Sequence, residues 1–460
     1  MLDPHPSLSK VAAFCGPANY RDPNAVEALV RQALDALKIP DDFIQPGARV
    51  VLKPNWVKEH DERRPGPGQW EHVVTHPAVI EAVVRWVAPK AGTIVICDAP
   101  QTDSSFARIK EYCRLDEILA RCRKDFPSLK VELLDLRPEE WHAVDGVTVS
   151  KTKLPGDPLG STHVQLDGAS EFVGYSGQGK LYGASYDMVE TNAKHAGERH
   201  EYLLCRTPMQ ADVFINLPKL KTHKKVGVTC ALKNLVGINA NKNWLPHHTE
   251  GAPEQGGDQF PTATAKTRLE HAWMGAAKRW LKNRPRMSRL FVPLKKMGRF
   301  VFGDTQNVVR SGNWHGNDTC WRMVLDLNKC FFFFDGDGKP RQKPIKHLTV
   351  VDGIIGGEGN GPMSPDAKPC GVIIAGRHPA AVDCVAAELM GFEWRKLRLL
   401  KGVFNLREMN FVPFAAEDIE VLSNCAAWAG KLSQIEDTFQ FRPHFGWVGA
   451  IEKQAKALSE

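Results

Sequence analysis

The chain alternates between two hydrophobic rhythms. KVAAFCG (10–16), ARVVLKPNWV (48–57), AGTIVICDAP (91–100) and LKVELLDL (129–136) are short, almost continuous apolar runs. Between them, NAVEALVRQALDAL (24–37), HPAVIEAVVRWVAP (76–89) and RLDEILARC (114–122) place apolar residues three and four apart. The first rhythm reads as buried strands and the second as helices with one apolar face. Strands apolar on both sides, alternating with helices, predict an α/β fold: a mainly parallel sheet flanked by helices.

The rhythm weakens between about 140 and 200, where WHAVDGVTVSKTKLPGD and FVGYSGQGKLYGAS alternate and turn often. An antiparallel insertion is expected there. The core pattern resumes with ADVFINLPKLKTH (211–223) and a helix-like GVTCALKNLVGI (227–238). It returns after a long interruption with HLTVVDGIIGGEGNGP (347–362), CGVIIAGRHPAAVDCVAAELMG (370–391) and the strand DIEVLSN (418–424). The expected division is 1–140, first part of the α/β core; 141–205, β-rich insertion; 206–240, core strand and helix carrying PKLKTH; 241–345, helical basic insertion; and 346–460, second part of the core.

Several apolar runs end on polar residues. VVL leads to Lys53 and Asn55, IVIC to Asp98, VFI to Asn216 with Lys219, Lys221 and His223 close behind, TVV to Asp352, and VIIAG to Arg377 and His378. In a parallel sheet the carboxyl ends share one edge, and ligands bind in the crevice outside it. For Asp98, Asn216 and Asp383 taken alone, capping is the favoured reading. The lysines resist that account. Lys219 and Lys221 are two apart and would point to one side of an extended stretch. Lys53 precedes a proline that holds it extended, and Lys233, followed by Asn234, sits in an apolar run. A lysine among buried neighbours needs an anionic partner, from the protein or from a ligand. The expected ligand is a small phosphorylated or carboxylated anion.

The loop Gly356-Gly357-Glu358-Gly359-Asn360-Gly361-Pro362 matches neither nucleotide fingerprint, since it lacks G-K-[ST] and prolines follow where a helix should start. Its glycines, Gly359 and Gly361 among them, would let a backbone approach an anion closely; a purely structural turn is the competing reading. His223, Glu358 and Asp352 are the candidates for acid–base catalysis, and the same three for a divalent metal if their strands lie adjacent. His247, His248 and Asp258 form a second, looser set with no diagnostic spacing.

Composition alters this picture little: 43% hydrophobic and 25% charged residues over 460 is ordinary for a globular chain. The eleven cysteines are scattered, with no C-x-x-C pair, so zinc ribbons and ferredoxin-type clusters are not expected. A reducing cytoplasm fits them, and MLDPHPSLSK does not read as a secretory signal. The net charge of +7 is local: between Glu270 and Asp304 there are nine Lys or Arg and no acid. In that segment Trp273, Ala276, Ala277, Trp280 and Leu281, and beyond Pro285 Leu290, Leu294, Met297 and Val301, make apolar helix faces with basic residues opposite. Two readings of 271–303 stay open, helices packed on the core with a solvated basic face, or an amphipathic element on an anionic membrane surface. Nucleic acid is disfavoured, because the basic residues interleave with bulky aliphatics.

VLKPNWV, DVFINLPKLKTH, TCALKNLVGI, TVVDGIIGGEGNGP and GRHPAAVDCVAAELMG, in this order, resemble the domain-of-unknown-function 362 family from about residue 50 to 395. The resemblance places Lys53, Asn55, Lys219, Lys221, His223, Lys233, Asn234, Asp352, Glu358, Asn360 and Asp383 on family motif positions. Many members carry a ferredoxin-type cysteine motif; this chain does not, so an iron–sulfur role is not implied. Three functions compete: an enzyme acting on a small anionic metabolite or biosynthetic intermediate, a metal-dependent enzyme using Asp352, Glu358 and His223, and a non-catalytic binding or scaffold protein.

Overall fold

The structure, a computed structural model, describes residues 6–144, 147–185, 187–264 and 308–454. The basic segment 271–303 lies outside them. Eleven strands, numbered here in chain order, form one sheet: β1 (Lys10–Cys15), β2 (Ala48–Pro54), β3 (Ala91–Asp98), β4 (Lys130–Asp135), β5 (Val213–Leu217), β6 (Lys219–His223), β7 (Gly227–Thr229), β8 (Lys346–Glu358), β9 (Asp366–Gly376), β10 (Glu420–Leu422) and β11 (Gly430–Lys431). Their order is β11-β10-β1-β9-β8-β5-β2-β3-β4, with β6 also on β8 and β7 on β6. From β8 to β4 the neighbours are parallel; β9 runs antiparallel to both β8 and β1.

Both sheet faces are buried, which is why the strands read as continuous apolar runs. Val50, Leu52, Ile94, Ile96, Val213 and Ile215 pack on one face with α1 (Pro23–Ala36), α2 (Pro77–Val87) and α4 (Leu115–Asp125), the short α3 (Phe106–Tyr112) preceding α4. Val51, Val95, Phe214, Val351 and Ile374 pack on the other, with α6 (Cys320–Phe333) and α7 (Pro379–Met390). Each fully buried aliphatic contributes about 1.5–3 kcal/mol, so this double layer is the main source of stability. The helix starts follow local chemistry. Asp22, His76 and His378 cap α1, α2 and α7 through side-chain acceptors, each followed by a proline at the first helical position. Small antiparallel sheets lie between β4 and β5 in sequence, including a hairpin of Glu139–Val144 with Val147–Lys153.

Three sequence expectations are corrected. GVTCALKNLVGI is not one helix: it is β7, the single turn α5 (Ala231–Asn234) and a 3-10 turn over Leu235–Ile238. TVV does not end at Asp352. β8 continues through Gly356 and Gly357 to Glu358, so half of the supposed glycine loop is strand. VIIAG does not exit at the same edge as the others. β9 is reversed and pairs Gly376 with Thr349 near the start of β8, which carries Arg377 and His378 to the opposite edge.

Candidate anion-binding cavity

At the carboxyl edge of β2 and β3 lies a partly open cavity of about 160 Å³. Six lysines line it: Lys53, Lys221, Lys224, Lys225, Lys233 and Lys242. The histidines on its wall are His223 and His247, and among the described residues Asp98 is its one carboxylate.

One corner is fixed by a polar lattice. Lys53 ends β2 and Asp98 ends the neighbouring β3, and their charges meet at 2.8 Å. The Lys53 ammonium also donates to Pro54 O at 2.7 Å and to Asn234 Oδ1 at 3.2 Å. Asn55 Nδ2 donates to the same Asn234 oxygen at 2.8 Å. Asn234 Nδ2 donates to Asn216 Oδ1 at 2.7 Å and to Lys53 O at 3.1 Å. Low dielectric strengthens such a chain of hydrogen bonds and holds the strand ends in place, although the buried Asn55 Oδ1 has no partner among the described residues. Gly237 is part of it, because a Cβ there would overlap Asp98 Oδ1 and Lys53 Nζ.

The other lysines lack that kind of partner. Lys221 donates to the carbonyl of Val73, Lys242 to Ala99 O and Val236 O, and Lys225 to the carbonyls of His247 and Ser311 and to His248 Nδ1. None of these three has a carboxylate within ion-pair distance among the described residues. Burial pushes their pKa values down, Lys225 to about 7 and Lys242 to about 8. Lys233, only 6% exposed, has no hydrogen-bond or ion-pair partner among the described residues, and burial lowers its pKa as well.

The two histidines are neutral for the same reason: burial, then the nearby lysine charges, hold both well below the usual imidazole range. Their hydrogen bonds fix opposite tautomers. His223 Nδ1 accepts the Lys225 backbone N–H at 3.0 Å, which leaves the proton on Nε2. His247 Nδ1 must donate to Leu245 O at 2.9 Å, which leaves Nε2 as a lone pair. One histidine therefore offers a donor and the other an acceptor.

Of the residues singled out from sequence, Lys53, Asn55, Lys221, His223, Lys233 and Asn234 share this cavity. Lys219 does not. The register with β8 shifts between Lys219 and Lys221, and the two side chains take different surroundings. Lys219 Nζ meets Asp352 Oδ2 at 2.9 Å and the Tyr20 hydroxyl at 2.8 Å, with both charged side chains fully buried. Tyr20 donates to Asp352 Oδ1 at 2.6 Å, and the His76 backbone N–H donates to Oδ2 at 2.8 Å. Asp352 is thus fully engaged in a sealed cluster away from the cavity.

Glu358 is not in the cavity wall either. It accepts the Arg442 N–H at 3.0 Å and pairs with Lys368 at 3.4 Å. Asp383 caps α5 from α7, accepting the N–H groups of Ala231 at 2.7 Å and Leu232 at 3.0 Å, and burial raises its pKa to about 7. The Gly359 N–H is taken by Arg442 O and the Gly361 N–H by Gly359 O, so these amides do not present an anion nest. A Cβ at Gly361 would run into the Thr222 backbone, which gives that glycine a packing reason. His223, Asp352 and Glu358 therefore stand in three separate environments. Among the described residues no group of three or more His, Cys, Asp or Glu is placed to hold a metal ion.

Sequence reading missed Lys224, Lys225, Lys242 and Gly237, and considered His247 only as a metal ligand. PKLKTHKK carries Lys224 and Lys225 in plain view, but a lysine after a strand is ordinarily solvated. Nothing local marks Lys242, which arrives from the loop following the 3-10 turn.

The profile of a domain of unknown function, DUF362, matches residues 50–164 and 166–388. The chain belongs to the DUF362 family. Every lysine and histidine of the cavity wall falls inside the matched DUF362 region, whereas Tyr20 and Arg442 fall outside it. A thylakoid-associated protein of Synechocystis sp. is 22% identical over 363 residues, covering 79% of this chain and 69% of that protein. Among solved structures, the lactate racemase apoprotein of Thermoanaerobacterium thermosaccharolyticum aligns with a TM-score of 0.31 and 12% identity, over 83% of this chain. The chain spans 57% of the length of that structure.

Proposed function

We propose that this DUF362 protein is an enzyme that binds a small phosphorylated or carboxylated metabolite in the lysine cavity. One observation carries the reading: among the described residues, six lysines converge on a site with a single carboxylate, and that carboxylate is already paired with Lys53. Holding such uncompensated charge away from water is costly unless something negative joins it. An anion with two or more charges would bond to Lys221, Lys225 and Lys233 together, and each charge-assisted bond contributes about 1.5–3 kcal/mol. His223 as donor and His247 as acceptor supply proton transfer at the ligand. Glu358 and Asp352 have no part in that step.

Calorimetric titration with inorganic pyrophosphate, citrate and 2-oxoglutarate tests the binding. The expected result is saturable 1:1 binding of at least one, weakened at least tenfold by Lys221→Ala. Absence of binding by all three, or equal affinity in the variant, contradicts the proposal.

A second reading concerns location. The Synechocystis relative is thylakoid-associated, and residues 271–303 carry a basic, aromatic-containing pattern. Attachment to an anionic membrane surface accounts for both, at about 1 kcal/mol per basic residue near the surface. Salt-sensitive sedimentation with phosphatidylglycerol liposomes, reduced by Lys278→Glu, Arg279→Glu and Lys282→Glu together, is the expected result. Wild-type protein left in the supernatant at low salt contradicts it. Among the described residues no helix is long and apolar enough to cross a membrane.

A further inference from the structure

Resting on the anion-binding reading, we propose that the metabolite carries an aldehyde or ketone beside its acidic group, and that Lys233 forms an imine with it. The geometry distinguishes Lys233 from the other cavity lysines. Lys53 is tied to Asp98, Lys221 to a carbonyl, Lys225 to two carbonyls and an imidazole, and Lys242 to two carbonyls. Lys224 is half-buried; burial lowers its pKa, and the carboxylates of Glu62 and Asp103 only partly offset this. Lys233 alone is buried on the cavity wall with nothing among the described residues to accept from its ammonium.

Its mounting suits a reactive amine. Lys233 rides on the single turn α5, held from below by the Asp383 carboxylate on the Ala231 and Leu232 N–H groups. The next residue, Asn234, is locked into the lattice around Lys53. The backbone carrying the amine is therefore fixed on both sides. A desolvated lysine beside other cations is the standard way to hold an amine neutral and nucleophilic at ordinary pH. Lys233 shares the cavity wall with both His223 and His247, and after burial its charge is the largest cause lowering their pKa values.

The chemistry closes with these groups. The Lys233 amine lone pair attacks the carbonyl carbon and forms the C–N bond. His247 Nε2 takes a proton from the nitrogen and passes it to the oxygen, which the His223 Nε2–H holds by a hydrogen bond. His247, neutral again, relays the second nitrogen proton to the same oxygen, the C–O bond breaks, and water leaves. The net change is amine plus carbonyl to imine plus water, with no oxidant or reductant. The remaining lysines hold the carboxylate or phosphate and orient the carbonyl towards Lys233.

The test is reductive trapping on the full-length wild-type protein. Pyruvate and pyridoxal 5′-phosphate are each incubated with cyanoborohydride, and the adduct is located by peptide mass spectrometry. The expected outcome is one dominant adduct on Lys233 with at least one probe, suppressed at least tenfold by excess inorganic pyrophosphate. Lys233→Met should lose that adduct, and its pyrophosphate affinity should fall by roughly ten- to a hundredfold, the loss of one charge-assisted bond. Labelling scattered over exposed lysines, or no adduct at Lys233 with either probe while pyrophosphate still binds, overturns the imine and leaves the anion site standing. Failure of pyrophosphate to bind the wild type and to suppress a Lys233 adduct would instead remove the anion-binding reading beneath it. The wild-type protection experiment does not depend on the variant folding.

Discussion

Lys53 and Asp98 lie at the carboxyl ends of two neighbouring parallel strands and meet at 2.8 Å on the wall of a cavity that five further lysines line. Asp98 also accepts the Trp56 N–H at 2.7 Å, so one carboxylate neutralises a lysine and fixes the turn beyond β2. Removing one partner of a buried pair costs roughly 3–5 kcal/mol because the other charge is stranded. The adjacent cavity places Asp98→Asn near the low end. Denaturant unfolding should show a loss of about 3 kcal/mol, partly restored by millimolar pyrophosphate, since a ligand that binds only the folded state stabilises it. A stability equal to wild type would show that the pair is not what holds this corner.

Gly237→Ala should act on the same pair from the opposite side. A methyl group there overlaps both charged atoms, and overpacking of this kind costs about 1–3 kcal/mol. The expected phenotype is reduced stability together with weaker anion binding, because Lys53 is displaced. Unchanged melting and unchanged affinity would contradict the packing described.

The pH dependence follows from Lys225 and Lys242, whose folded values of about 7 and about 8 lie below the roughly 10.4 of an unfolded lysine. Between those values the unfolded chain binds more protons than the folded one, so these residues return stability as pH rises. Anion affinity should move the other way and fall from pH 6.5 to 8.5 as the ammonium groups deprotonate. Titration of pyrophosphate across that range checks the second statement. The first is checked by the stability difference between wild type and Lys225→Met, which should shift in favour of wild type as pH rises from 7. An affinity that is flat or rises with pH would contradict the assignment.

Lys219 and Asp352 should behave as structural residues. Both are sealed with Tyr20 in a fully satisfied cluster outside the cavity. Lys219→Ala is expected to cost about 3–5 kcal/mol of stability, while pyrophosphate affinity of the folded fraction stays within twofold of wild type. A large affinity loss with normal stability would move Lys219 back into the binding site.

Much of the fold was legible because it follows from apolar periodicity. Runs such as VVL and IVIC are apolar on both sides and can only be interior strands. Strand direction was not legible, since VIIAG would read identically in either orientation, and its reversal removed Arg377 and His378 from the site edge. At the site, Lys53, Lys221 and Lys233 stood out because a lysine inside an apolar run demands a partner. The nature of that partner was hidden. Lys219 answers to Asp352, 133 residues away in sequence, and only the bulge between Lys219 and Lys221 separates their fates. Glu358 looked catalytic among glycines, yet those glycines belong to a strand and a packed turn. Lys242 and Gly237 carried no local signal because their roles exist only when the loops close over the strand ends.

The most direct measurement of the central claim is a crystal structure of the protein soaked in tungstate, an oxyanion located unambiguously by its anomalous scattering. The account predicts one well-occupied site inside the cavity, within hydrogen-bonding distance of Lys221 and Lys233 and lost when both are changed to alanine. Tungstate found only on the outer surface, with the cavity holding nothing but water, would contradict it.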